Sequence, residues 1–155
     1  MNKPDRGPLL TVLALLFGLL ALSDVLKPLQ ASREYRRYVF FPELMEFEPA
    51  VAVREQTGFV FFGKRLSGTA NAVVGPLFGL YLLVYAVGIW RMRQWALPMG
   101  AAYAVYVIAN LTLFMMRDPE PMREGALFST IYAVVAIGLS WGAVWLLSQR
   151  RAALA

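Results

Sequence analysis

Two small sets of residues carry most of the polar chemistry available to this chain. In "GKRLSGT", Lys64 and Arg65 stand just before Ser67 and Thr69, at the expected start of a helix. Free backbone N–H groups, the positive end of the helix dipole and two cations suit a phosphate or a lipid headgroup there, with Ser67 or Thr69 as the N-cap. The plainer reading is that basic residues flank most membrane helices. The second set, Asn71, Tyr106, Asn110 and Tyr132, sits inside long apolar runs. A polar group in hydrocarbon needs a partner, so these four read either as donors and acceptors of a pocket for an amphipathic ligand or as bonds between packed helices.

Carboxylates offer a third chemistry. Glu43, Glu46, Glu48, Glu55, Asp118 and Glu120 all fall outside the apolar runs. Two of them brought together could share acid–base roles or hold a hard cation. They are interleaved with Arg33, Arg36, Arg37, Arg54 and Arg123, however, and a charge-balanced solvated surface accounts for them without a reaction. The chain has no cysteine and no histidine, which excludes disulfides, thiolate nucleophiles, the usual zinc sites and imidazole acid–base catalysis. No catalytic residue, metal site or cofactor is therefore assigned. The absence of any GxxxxGK[ST] pattern argues against phosphate-loop chemistry, and no nucleic-acid motif is present.

The elements that must position these residues follow from composition. Of 155 residues 59% are hydrophobic, and they gather into blocks at about 9–26, 70–90, 96–116 and 126–147. Each block is close to the ~20 residues that a helix needs to cross the hydrocarbon core. The expected fold is an all-α integral membrane protein, a four-helix transmembrane bundle forming a single domain over 1–155. A cleaved secretory signal is the rival reading of the first block, because Lys3 and Arg6 precede it and Ala21-Leu22-Ser23 resembles a cleavage site; an uncleaved helix is favoured by the apolar stretch running on to Leu26. The short "RMRQW" link makes the second and third helices antiparallel neighbours. Prolines 119 and 121 close the third helix.

The connection 27–66 is too long for a turn and is expected to form an extramembrane cap between the first two helices. Its basic, aromatic start, "KPLQASREYRRYVFF", either extends the first helix or lies on the membrane surface. Further on, "VAVREQTGFVFFG" reads as a β-hairpin turning at residues 55–58. Asp24 is the carboxylate nearest the middle of any span, and it reads as an interface residue paired with Lys27. Lys3, Arg6, Arg91, Arg93, Arg150 and Arg151 gather on the side of the termini, which leans that side towards the cytoplasm of a bacterial inner membrane. Trp90, Trp95 and Trp145 on the same side fit an interfacial belt, with Trp141 a turn deeper.

On the second span Ser67, Asn71, Gly75 and Gly79 recur every four residues and so share one face. Small residues there allow close helix approach, and Gly75 with Gly79 form a GxxxG that could also serve self-association. Gly138 and Gly142 repeat the spacing on the fourth span. Three functions are compatible with this pattern. The leading one is a non-enzymatic protein that acts by helix packing, as an accessory subunit of a larger membrane complex or as a homo-oligomer. The second is a binder or carrier of a lipid or other amphipathic molecule between helices two to four. The third is an interfacial lipid-modifying enzyme. Membrane lipids are the expected partners, and nucleic acid is not.

Overall fold

The computed structural model describes residues 7–40, 59–117 and 126–154. Among them four helices dominate: α1 (Gly7–Phe40), α2 (Gly68–Trp90), α3 (Ala96–Arg117) and α4 (Ala126–Gln149). All four are long and apolar enough to cross a membrane, which is compatible with an integral membrane protein. A two-stranded antiparallel sheet, β1 (Val60–Phe61) with β2 (Lys64–Arg65), lies between α1 and α2, and a short 3₁₀ turn, Arg151–Ala153, follows α4.

α1 is longer than the first apolar block. It continues through Lys27 and Pro28 to Phe40, so the first part of the expected 27–66 cap is helix. Proline removes one backbone donor and clashes with the preceding turn, yet the helix carries Pro28 without ending. The expected turn at 55–58 lies outside the described residues. The hairpin that is described pairs Val60 with Arg65 and Phe61 with Lys64, leaving Phe62 and Gly63 as a two-residue loop. Both loop residues have positive φ, 45° at Phe62 and 73° at Gly63, as a type I′ turn requires. A Cβ on Gly63 would come within 2.5 Å of the Leu113 backbone, so glycine is needed there for space as well as for φ.

The bundle is built from two closely packed pairs, α1 along α2 and α3 along α4; contacts between the pairs are sparser. On α1 the buried residues Leu10, Ala14, Phe17, Ala21 and Asp24 recur at helical spacing along one face. They meet an α2 face formed by Asn71, Gly75, Gly79, Leu82, Ala86 and Ile89. The two helices run antiparallel: Gly75 approaches the Asp24 carbonyl, Gly79 approaches Ala21 and Val25, and Phe17 reaches Tyr85 with ring centroids 5.1 Å apart. At Gly79 the approach is closest, since a Cβ there would lie 2.7 Å from the Ala21 carbonyl oxygen.

The link between α2 and α3 is as short as expected, but those two helices touch mainly through large side chains. Tyr85 fills the notch left by Gly100, and the Tyr81 hydroxyl donates to the Met99 carbonyl at 2.7 Å. Trp95 folds over Gly88. Phe78, Tyr103 and Tyr106 complete an aromatic seam, with Phe78 and Tyr106 centroids 4.6 Å apart. Spacing two helices by aromatic rings rather than by glycine and alanine holds them further apart, and that difference opens the interior described below.

Gly79→Leu should drive α1 off α2 and lower stability by about 1–3 kcal/mol, the usual range for overpacking. Gly138→Leu is the control, because a Cβ at Gly138 meets nothing within 4 Å. Thermal unfolding of the detergent-solubilised variants checks both, and equal melting temperatures would contradict the close contact. Tyr85 offers a test of opposite sign: it is 0% exposed and its hydroxyl has no hydrogen-bond partner among the described residues. Tyr85→Phe removes an unpaired polar atom and should leave the melting temperature unchanged or higher.

Candidate functional site

Between the two helix pairs lies a cavity of about 550 Å³, within the size range of small-molecule sites. All four helices and the hairpin contribute to its wall. Chain direction orders that wall along the bundle axis. Ser23, Asp24, Arg65, Tyr106, Asn110 and Tyr132 gather at the hairpin end, whereas Leu13, Leu16, Phe17, Leu82 and Leu139 line the far end. Tyr103 and Ser140 are the polar residues of the wall outside the hairpin end, and the Ser140 hydroxyl is turned back to the Ala136 carbonyl at 2.7 Å. The cavity is thus richer in polar groups at the hairpin end, where Phe59 and Val60 also line it, and mostly apolar at the other.

Leu16, Leu20, Tyr132 and Val135 line the cavity and are also exposed, which places its opening between α1 and α4, where few contacts join the helices. The opposite wall is the aromatic seam. Phe78, Tyr103 and Tyr106 separate the cavity from a second, apolar hollow of about 490 Å³ between α2 and α3, and these three residues border both. Phe17 braces the seam edge-on against Tyr103, at 5.7 Å and 89° between rings.

The structure separates the four residues expected to line a pocket. Tyr106, Asn110 and Tyr132 border the cavity, but Asn71 does not. Asn71 is only 7% exposed, and its Oδ1 accepts the Phe59 N–H at 2.8 Å. Asn110 accepts the Gly63 N–H at 2.9 Å, and the Tyr106 hydroxyl donates to the Val60 carbonyl at 3.3 Å. Arg117 adds a donor to the Phe62 carbonyl at 3.1 Å. Four backbone groups of the hairpin are therefore satisfied by side chains from α2 and α3, the buried one at Phe59 by Asn71. Phe62, in an uncommon left-handed conformation, is held by edge-on contacts to Phe61 at 4.8 Å and to Tyr106 at 5.4 Å. Tyr132 makes a different contribution: at 60% exposure it stands at the cavity mouth.

Of the expected headgroup contacts, Lys64, Arg65, Ser67 and Thr69 are all exposed. Ser67 occupies the N-cap position with an extended backbone, but its side chain makes no capping hydrogen bond, and Thr69 lies within the first turn. Only Arg65 of this group reaches the cavity wall, its guanidinium carbon 5.5 Å from the centroid of the Phe114 ring. The four glycines also divide. Gly75 and Gly79 face α1, whereas a Cβ on Gly138 or Gly142 would meet nothing within 4 Å. Glu43, Glu46, Glu48, Glu55, Asp118 and Glu120 lie outside the described residues.

Asp24 is the residue that sequence reasoning undervalued. It is 9% exposed and borders the cavity near the end of the first membrane-length span, while the side chain of Lys27, its expected partner, lies outside the described residues. The signal was present in the spacing, since position 24 continues the face of Leu10, Ala14, Phe17 and Ala21. Tyr103 was legible in the same way as a member of the Tyr103, Tyr106 and Asn110 stripe. No protein-family model, no curated protein and no solved structure matches the chain.

Removing the Asn71 side chain should leave the buried Phe59 N–H unpaired, at a cost of about 1–3 kcal/mol. Hydrogen exchange reads this locally: in Asn71→Ala the Phe59 amide is expected to exchange faster, with the amides at the centre of α3 unchanged. Wild-type protection at Phe59 in that variant would contradict the anchor.

Proposed function

We propose that the protein binds one amphipathic lipid-like molecule in the cavity between its two helix pairs, without covalent chemistry. The carrying observation is the polarity gradient of the cavity, with Asp24, Tyr106, Asn110 and Tyr132 at the hairpin end and leucines at the other. A molecule with a polar head and an apolar tail matches that gradient in one orientation only. The opening between α1 and α4 lets such a molecule enter sideways from the bilayer, with no need to leave the hydrocarbon phase. The hairpin, tied down by Asn71, Tyr106 and Asn110, closes the polar end.

A second reading rests on α4. Gly138 and Gly142 present an unfilled small-residue surface beside exposed Trp141 and Trp145, which suits a partner helix and would make the chain an accessory subunit or a homo-oligomer. The GxxxG of α2 is less suited to that role because α1 of the same chain covers it. We further propose that the termini face the cytoplasm, supported by Arg91, Arg93, Arg150 and Arg151 clustering at the end opposite the hairpin.

Ala136→Trp fills the cavity from α4, whereas Val134→Trp places the same side chain at an exposed position that does not line it. Native mass spectrometry of gently purified protein is expected to show one retained lipid on the wild type and on Val134→Trp, and none on Ala136→Trp. Equal lipid retention by both variants would sink the cavity-binding reading.

A further inference from the structure

Phe78, Tyr103 and Tyr106 form a wall between two hollows, and that wall bears on the shape of the occupant. All three stand near the middle of membrane-length helices, the depth at which hydrocarbon surrounds a spanning bundle. Beyond the wall, the second hollow is bordered by Phe61, Val74, Leu77, Tyr81 and Ala102. The Tyr81 and Tyr106 hydroxyls that reach it are turned to the Met99 and Val60 carbonyls, so the hollow suits a hydrocarbon tail rather than a head. Counting a methylene at about the 30 Å³ that one water takes in the liquid, the cavity's 550 Å³ seats roughly 18 of them, which is one acyl chain. The second hollow, at 490 Å³, has room for one more.

Phe78 is the centre of the wall. Its ring centroid lies 4.6 Å from that of Tyr106 and 6.1 Å from that of Tyr103. The two tyrosines have anchors elsewhere, Tyr106 through its bond to Val60 and Tyr103 through the edge-on ring of Phe17. A smaller residue at 78 would therefore open the wall while both tyrosines stayed fastened. Resting on the lipid-binding reading above, we infer that Phe78 restricts the occupant to a single hydrocarbon chain. With the ring in place, the second chain of a two-chain lipid has no seat inside the bundle and must leave through the opening between α1 and α4. Without it, the two hollows become one space with room for both chains. Selection works by exclusion, because an apolar pocket resists overfilling.

The test uses the full-length protein, delipidated in detergent and then offered equimolar lysophosphatidylcholine and phosphatidylcholine with the same acyl chain, so that the headgroup is constant. Native mass spectrometry reads the bound species. Wild type is expected to retain the single-chain lipid over the two-chain lipid by roughly threefold or more, well within what excess bulk costs in an apolar pocket. Phe78→Ala should bring that ratio to one or below. Ala102→Phe fills the second hollow and leaves the wall intact, so it should keep the wild-type ratio. That variant and the wild type carry the test if Phe78→Ala fails to fold. A wild-type ratio of one or below, a changed ratio in Ala102→Phe, or an unchanged ratio in folded Phe78→Ala overturns the single-chain assignment while leaving a lipid in the cavity. Retention of neither lipid by the wild type overturns the binding reading beneath it as well.

Discussion

The close backbone approach of α1 to α2 at Gly79 and Ala21 sets the spacing of the helix pair on which the rest of the bundle is built. In a bilayer the hydrophobic effect does not drive helices together, so packing contacts and interhelical hydrogen bonds must do so. Glycine and alanine let α1 and α2 meet along most of α1's apolar length, from Leu10 to Asp24. The second interface of α2, towards α3, is built from Phe78, Tyr81 and Tyr85 instead, and rings keep those helices apart. A bundle with one tight and one wide spacing cannot close on its axis. The cavity follows from that mismatch, and its lining follows from which faces are left to look inward.

The hairpin solves a different problem. A two-stranded ribbon has too few internal hydrogen bonds to satisfy its own backbone, and alone it is marginal even in water. Here Asn71, Tyr106, Asn110 and Arg117 supply the missing partners from two helices that belong to different pairs. The same bonds therefore fasten the cap and link α2 to α3, whose direct contacts are sparse. Of the polar residues expected to meet a ligand, Asn71, Asn110 and Tyr106 are engaged with the hairpin backbone, and Tyr132 stands at the cavity mouth.

Helix number, approximate span boundaries and the presence of a small sheet were legible because they depend on segment length and composition, which the bilayer constrains strongly. The faces were harder. A membrane helix is apolar on its lipid side and on its packed side, so the contrast that marks a buried face in water is missing from α2 and α4. Small residues mark a close contact without naming its partner: Gly75 and Gly79 face α1, while Gly138 and Gly142 of identical spacing face open space. The hairpin turn was missed for a similar reason. Phe62-Gly63 lacks the Asn-Gly or Asp-Gly signature, and its conformation is held by Tyr106 and Arg117, from distant parts of the chain. Nor does an asparagine in an apolar run reveal whether it will bond to a ligand or to a backbone, since the chemistry is the same.

The most direct test of a cavity that holds an amphipath is a crystal structure grown from a lipidic mesophase, where bilayer lipid is present throughout. The account predicts one elongated density between α1 and α4, with its head beside Asp24 and its tail between Leu16 and Leu139. Closure of that space, with Phe17, Tyr103 and Leu139 in mutual van der Waals contact and no density between them, would contradict it.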